Sequence, residues 1–150
     1  MEIINKLSAL ATRVRRFIFI KMGDLCMEEQ PTDSTCGQTC IAYIVGVSVD
    51  DVISVIGKKK GTYGTDLKKA LKVYNVPHSD KMIRISKKTI KPDHCIVGMQ
   101  NNLKREGHWV IFRKGKYYDP GNGTILSQQE FRDGYIDWRE TSYIEIFEAF

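Results

Sequence analysis

The sequence has few cysteines and no long hydrophobic run. Its four cysteines among 150 residues are too few and too irregularly spaced for a disulfide scaffold in a chain long enough to fold without one. We therefore expect free thiols in a reducing, cytoplasmic setting. The N-terminal apolar stretch Phe17 to Ile20 is cut off by Arg15, Arg16 and Lys21, whereas a transmembrane helix needs roughly 20 apolar residues. We do not expect a membrane-spanning protein.

Acidic residues are in the minority, and charge is distributed unevenly along the chain. Lys and Arg number 23 against 18 Asp and Glu, which gives a net charge of +5. The basic excess lies in residues 58–118, between the acidic segments 23–57 and 119–150. Exposed lysines attract acidic peptides, anionic surfaces or nucleic acids. Because the basic segment has few aromatic residues to stack on bases, we expect solvated faces and no nucleic-acid partner.

The chain is organised as one domain behind a short extension. No repeat or Gly/Ser linker interrupts residues 30–150, so we interpret 23–150 as the domain and 1–22 as an N-terminal extension. Apolar residues of the extension recur at helical spacing, which predicts an amphipathic helix that packs on the domain or contacts a membrane or partner. Its positive charges follow the apolar stretch, so we expect no secretory signal. An effector exported without such a signal is the alternative to a cytoplasmic protein.

Capping patterns predict three helices in the first half of the domain. Thr35-Cys36-Gly37-Gln38 has the form of a capping box before an apolar run, which predicts a helix beginning at Cys36. Ser48 and Asp51 repeat the pattern before a second helix, and Thr65 is placed to cap a third.

After the third helix the apolar period changes from about 3.6 to 2, which predicts antiparallel strands. The predicted strands are Met82–Ile85, Cys95–Met99, Trp109–Phe112, Lys116–Asp119 and Tyr143–Phe147. Lys114-Gly115 predicts a tight hairpin, and Ser127 and Glu130 form a capping box for one short helix. Helices followed by strands indicate an α+β protein with an N-terminal helical lobe packed against a C-terminal antiparallel β-sheet.

Cys36 is the first candidate for a nucleophile. In the first turn of a helix, unpaired backbone N–H groups and the helix dipole favour a thiolate over a thiol. Gly37 leaves the approach to the sulfur open, whereas Cys40, one turn on among apolar residues, is interpreted as a buried side chain. A cysteine at a helix start is structural more often than catalytic, so catalysis by Cys36 requires a base beside it.

His108 and Asp119 are the candidates for that base and for the group that orients it. His108 opens a predicted strand, and a strand end that faces a helix start presents an imidazole to a thiolate across a cleft. With a two-residue turn at Lys114-Gly115, position 108 pairs near 121, so Asp119 lies within about two residues of His108 on the next strand. The structural alternatives are that His108 is a sheet residue with ordinary hydrogen-bond partners and that Asp119 only forms the turn before Pro120.

A donor to the developing oxyanion is the fourth role in such a site, and an uncharged amide suits it. Gln30 lies six residues before Cys36 in a proline-containing loop. Asn101, Asn102 and Gln38 are competing amides, and spacing alone does not choose among them.

Taken together, four stretches resemble the papain-like cysteine peptidases of the bacteriocin-processing, double-glycine leader peptidase type. These stretches are Gln30, Asp33–Cys40, Gly107–Ile111 and Tyr118–Pro120. The resemblance runs from about Gln30 to Phe147 and implies a papain-like fold. It also implies Cys36 as nucleophile, His108 as general base and acid, and Asp119 as the residue that orients the imidazole. Gln30 would donate to the oxyanion, with the backbone N–H of Cys36 as the second donor.

The chain departs from that family in two respects. The interval from His108 to Asp119 is shorter than usual, and no transporter segments follow, so we expect a stand-alone bacterial domain. The resulting hypothesis is a thiol hydrolase that cleaves a peptide or isopeptide bond in a peptide or protein substrate without any cofactor. Deamidation or acyl transfer by an effector or toxin, and peptide binding without cleavage, are the alternatives, because one fold hosts many activities.

A metal site is the chemical rival to this hypothesis. Cys36, Cys40, His94, Cys95 and His108 include enough soft ligands for zinc. Adjacent residues on a strand point to opposite faces of the sheet, so His94 and Cys95 are poorly placed to act as a ligand pair. We therefore expect no metal, and we interpret His78 and His94 as structural or surface residues.

Overall fold

A computed structural model describes Met27 and residues 29–147 of the chain. The extension predicted over 1–22 lies outside the described residues, as does Cys26. All remaining candidate site residues fall within them.

The described residues form an α+β structure, as the sequence predicts. The helices are α1 (Cys36–Val45), α2 (Val49–Ile56), α3 (Gly64–Val73) and α4 (Gln128–Gly134). The strands are β1 (Ile83–Arg84), β2 (His94–Asn101), β3 (Gly107–Arg113), β4 (Lys116–Asp119), β5 (Thr124–Ser127) and β6 (Trp138–Glu145). The strands make one antiparallel sheet in the order β1-β6-β2-β3-β4-β5.

The sheet is covered on both faces. Helices α1 to α3 pack on one face, where Ile96, Ile111 and Ile144 meet the helical side chains. Helix α4 covers the other face through Phe131, which packs with Val97 and neighbouring side chains. Every residue of α1 is buried, as expected for a helix that is apolar around most of its circumference. In the described part of the chain no single helix is long and apolar enough to cross a membrane; only α1 and α2 taken together, bent by 113°, reach that length.

The β3–β4 hairpin has the predicted turn. Lys114 and Gly115 both have positive φ values, 47° and 79°, as a two-residue hairpin turn of this hand requires. Arg113 lies opposite Lys116, so counting back along the ladder places position 108 opposite 121. The register needed for His108 and Asp119 to meet is therefore present.

Helix α1 begins at Cys36 as predicted, but the capping box predicted for it is wrong. The Thr35 hydroxyl is used by the preceding turn, where it donates to the Thr32 carbonyl at 3.0 Å. The Gln38 amide is fully buried and donates instead to the carbonyls of Lys58 (3.1 Å) and Lys60 (2.8 Å). Tertiary hydrogen bonds have replaced the local ones that the pattern suggested.

The other helix starts are partly as predicted. The Ser48 hydroxyl accepts from the Asp51 N–H at 3.1 Å, and the Ser127–Glu130 capping box is formed. The cap predicted at Thr65 is wrong, because α3 begins at Gly64. Its N-terminus is instead closed by the Asp66 carboxylate, which accepts from the backbone N–H of Tyr63 at 2.8 Å.

Strand boundaries show the largest differences. Strand β5 is missed by the sequence prediction, because Thr124-Ile125-Leu126-Ser127 shows no alternation of apolar and polar residues. The last strand begins at Trp138 rather than Tyr143, and Ile146 makes only an isolated bridge with His78. The first strand is reduced to Ile83–Arg84 at the edge of the sheet.

Candidate active site

Cys36 occupies the first residue of α1 and lines a cleft. Gly37 is required next to it for close packing: a Cβ at this position would overlap the Thr62 hydroxyl and approach Trp109 Cδ1 to 3.1 Å. The loop that carries Thr62 therefore lies directly against the helix start. This contact forms one wall of the cleft beside the thiol.

His108 and Asp119 meet as the hairpin register predicts. His108 Nε2 lies 2.8 Å from Asp119 Oδ1, and the Asp119 side chain is almost completely buried. An ionised carboxylate only accepts hydrogen bonds, so Nε2 carries the proton of this contact. Nδ1 is then the nitrogen left to face Cys36, which lines the same cleft as His108.

Both oxygens of Asp119 have donors. Oδ1 accepts from His108 and from the Gly121 N–H at 2.8 Å, and Oδ2 accepts from the Tyr135 hydroxyl at 2.5 Å. Burial alone would raise the pKa of Asp119, but the hydrogen bonds from His108 and Tyr135 hold this pKa below its ordinary value of 3.8. Asp119 is thus a fixed negative charge behind the imidazole.

The electrostatics of His108 follow from its two neighbours. Burial by itself would lower its pKa, because a charged imidazolium loses solvation. The hydrogen bond to Asp119 and the nearby Cys36 outweigh burial and raise the pKa of His108 from 6.5 to about 9. The arrangement therefore favours a protonated imidazole at neutral pH.

The cleft beside Cys36 and His108 has a volume of about 640 Å³. One wall is the loop 61–63, whose Thr62 carbonyl accepts from the Trp109 indole N–H at 3.1 Å. The floor is the helix-side face of the sheet, where Gly98 and Ser142 lie beside Trp109. The Trp109 ring covers Gly98, where a Cβ would approach Trp109 Cζ3 to 3.0 Å.

Gln30 lies close to the candidate triad through its backbone. Its N–H donates to the Pro120 carbonyl at 2.7 Å, which anchors it next to Asp119. One hydrogen of its side-chain amide is donated to the Thr32 carbonyl at 2.7 Å. The amide nitrogen carries a second hydrogen, so the contact does not exhaust its capacity to donate.

The competing amides have structural partners. Gln38 is fully buried and holds the 58–60 loop through the two carbonyls described above. Asn101 accepts from the N–H groups of Leu103 and Lys104, and Asn102 accepts from Arg139. Of the four amides, Gln30 is the one whose backbone bonds the residue after Asp119, although it is not among the residues that line the cleft.

The residues of the zinc hypothesis do not converge. Among Met27 and residues 29–147, no group of three or more His, Cys, Asp or Glu side chains is arranged to hold a metal. Cys40 belongs to the helix-side core, whereas Cys95 belongs to the core on the opposite face of the sheet. Both are fully buried free thiols, whereas the free thiol Cys36 lines the cleft and is 6% exposed. His78 makes a structural contact, Nδ1 to the Val76 carbonyl at 2.7 Å.

Sequence reasoning missed two aromatic residues of the site. Tyr135 contacts Asp119 and stacks on the His108 ring with centroids 5.9 Å apart, and Trp138 meets the same ring edge-on at 6.2 Å. Both follow the short helix α4, far from the motifs in sequence. The only available signal was the capping box at Ser127, which predicted an ordered helix directly before them.

Neither a protein-family model nor a curated protein matches this chain. Any assignment of function therefore depends on the site itself: a thiol at a helix start, an imidazole and a buried carboxylate at one cleft.

Proposed function

We propose that this protein is a papain-like cysteine peptidase that hydrolyses a peptide or isopeptide bond. The observation that carries the proposal is the position of the His108 imidazole, which bonds the buried Asp119 carboxylate at 2.8 Å and lines the same cleft as the Cys36 thiol. A nucleophile, a base and an orienting group in series are what covalent acyl transfer requires. Helices on one side of the cleft and a sheet on the other agree with a papain-like arrangement.

The first half of the reaction forms an acyl-enzyme. Cys36 Sγ, with its proton on His108, attacks the carbonyl carbon of the substrate and forms a tetrahedral intermediate. Collapse of this intermediate breaks the C–N bond while His108 donates its proton to the leaving amine. Asp119 keeps the imidazole in the tautomer and orientation that these transfers need.

The second half releases the acid. A water molecule attacks the thioester carbonyl while His108 takes its proton, and the C–S bond breaks to regenerate the thiolate. The backbone N–H of Cys36 lies in the first turn of α1, where it has no intrahelical acceptor, so it is available to an oxyanion. The Gln30 amide is the proposed second donor.

The proposed chemistry agrees with a reducing compartment such as the cytoplasm. A thiolate nucleophile requires reduced sulfur, and Cys36, Cys40 and Cys95 are all free. The proposed partner is a peptide or protein substrate that lies along the cleft beside Trp109.

Cleavage-site profiling tests the proposal. A proteome-derived peptide library is treated with the wild-type protein and, in parallel, with Cys36→Ala, and new termini are counted by mass spectrometry. We expect new termini only with the wild type, because the variant has no nucleophile. Cys95→Ala, which removes a buried thiol on the other face of the sheet, is the matched control and should behave as the wild type.

Two other outcomes would redirect the assignment. Mass gains of about one dalton at glutamine side chains without new termini would indicate deamidation at the same acyl-enzyme. Protection of the cleft from hydrogen exchange by a peptide that is not cleaved would indicate a binding domain. Either result would contradict the peptidase proposal.

Cleavage is expected to be lost at alkaline pH. The pKa of His108 is about 9, so raising the pH through this value removes the proton that the leaving amine needs. The kcat/KM profile should therefore have its basic limb near pH 9, measured with any substrate found by profiling. A basic limb near 6.5, the ordinary pKa of histidine, would contradict the coupling of His108 to its neighbours.

A further inference from the structure

We propose that Tyr135 is a positioning residue of the site, which holds the Asp119 carboxylate against His108. The effect of Tyr135 on catalysis depends on the proposed function. Its effect on the contact between Asp119 and His108 does not. It extends the candidate site from the β3–β4 hairpin to the end of α4.

Asp119 orients the imidazole only if its carboxylate group is held in one rotational position. Its Oδ1 accepts from His108 Nε2 and from the Gly121 N–H, both at 2.8 Å. A carboxylate held only at one oxygen can turn about its side-chain bonds and lengthen either contact. The Tyr135 hydroxyl donates to Oδ2 at 2.5 Å, so it fixes the second oxygen and leaves Oδ1 in line with the imidazole.

The Tyr135 ring is itself held in place. It stacks on the His108 ring at 5.9 Å with 19° between the planes, which closes one side of the imidazole. Phe131 and Trp138 pack against it with centroids 4.8 Å and 5.7 Å away. Its backbone N–H donates to the Phe131 carbonyl at the end of α4, so the helix sets its position along the chain.

The protonation states agree with this role. Burial, followed by the hydrogen bond to Asp119, raises the pKa of Tyr135, so the hydroxyl keeps its proton and remains a donor. The same hydrogen bond contributes to lowering the pKa of Asp119. In the Tyr135–Asp119 pair the negative charge therefore stays on the carboxylate, next to the His108 imidazole.

Tyr135→Phe removes the hydroxyl and keeps the ring stack on His108. Tyr117→Phe is the matched control, because it removes a similar buried hydroxyl, bound to Glu140 at 2.7 Å on the same face of the sheet. We expect Tyr135→Phe to lower kcat about tenfold with KM changed less than twofold, because only positioning is lost. Tyr117→Phe should change both constants less than twofold.

A double-variant comparison separates positioning from a general effect on folding. In an Asp119→Ala background Tyr135 has no carboxylate to hold, so Tyr135→Phe should then change kcat less than twofold. An equal loss in both backgrounds, or an equal loss in Tyr117→Phe, would overturn the proposal.

Measurements without a substrate keep the inference independent of the proposed function. In ¹⁵N-labelled protein, the His108 Nε2 proton should give a slowly exchanging downfield signal in the wild type and in Tyr117→Phe. In Tyr135→Phe this signal should exchange faster, and acid unfolding should begin at higher pH because the pKa of Asp119 rises. If no peptide is cleaved but these shifts occur, the peptidase proposal fails and the role of Tyr135 stands. An unchanged signal and an unchanged acid transition would overturn that role.

Discussion

His108→Ala is expected to lower kcat/KM by about 10³- to 10⁴-fold, the range expected when a general acid and base is removed. In the proposed mechanism the variant loses the group that takes the proton from Cys36 and returns it to the leaving amine. It also removes one donor to the buried Asp119 carboxylate, whose Oδ1 still accepts from the Gly121 N–H and whose Oδ2 still accepts from the Tyr135 hydroxyl. Steady-state kinetics and a urea unfolding curve on the same preparation measure the two effects separately.

His78→Ala is the control for this variant. His78 is half-buried and bonds the Val76 carbonyl, outside the residues that line the cleft. Its replacement should leave kcat/KM within about twofold of the wild type, as expected for a side chain away from the reacting atoms. Comparable losses in the two variants would show that histidine replacement acts through folding, and the assignment of His108 as base would be withdrawn.

Asp119→Ala is expected to have the second-largest effect, on both activity and stability. The change leaves His108, Gly121 and Tyr135 with unpaired donors in a buried site, which costs about 3 kcal/mol of unfolding free energy. It also removes the main contribution that raises the pKa of His108, so the basic limb of the pH profile should move from about 9 to lower pH. We expect kcat/KM to fall by about 10²- to 10³-fold.

Asp119→Asn separates the charge from the hydrogen bond. Because the Gly121 N–H also donates to Oδ1, the amide oxygen of an asparagine is favoured at that position, where it still accepts from His108. We therefore expect a loss of only about tenfold in kcat/KM, together with the same acid shift of the basic limb. If the alanine and asparagine variants were equally inactive, the tautomer argument for Asp119 would be wrong.

Stability should depend on pH in a way that follows from the same two residues. The raised pKa of His108 stabilises the folded state fully below about 6.5, and this contribution is lost as the pH rises from 6.5 to about 9. The lowered pKa of Asp119 stabilises the folded state above its ordinary value of 3.8, and this contribution is lost as the pH falls below that value. The site therefore contributes most to folding between these limits.

The parts of the site that the sequence predicts are those determined by local rules. A two-residue turn at Lys114-Gly115 fixes the register of two strands, and that register brings His108 and Asp119 together. Helix α1 does begin at Cys36, but the capping box from which that start was predicted is not formed.

The remaining parts depend on contacts between residues distant in sequence. Gln38 looks like a capping residue, but its amide is used by the 58–60 loop twenty residues away. Tyr135 reaches Asp119 only because α4 folds back over the sheet, and no local pattern encodes that contact. Local rules therefore predict the His108–Asp119 contact, whereas the contacts that support it come from tertiary packing.

The most direct test of the central claim is the rate of alkylation of each cysteine at neutral pH, followed by mass spectrometry. The account predicts that iodoacetamide modifies Cys36 much faster than the other described thiols, because the His108 imidazole at the same cleft is protonated at this pH. Cys40 and Cys95, which are fully buried, should remain unmodified, and His108→Ala should slow the modification of Cys36. If Cys36 were no more reactive than the other cysteines, or if its rate were the same without His108, the proposed pair would be contradicted.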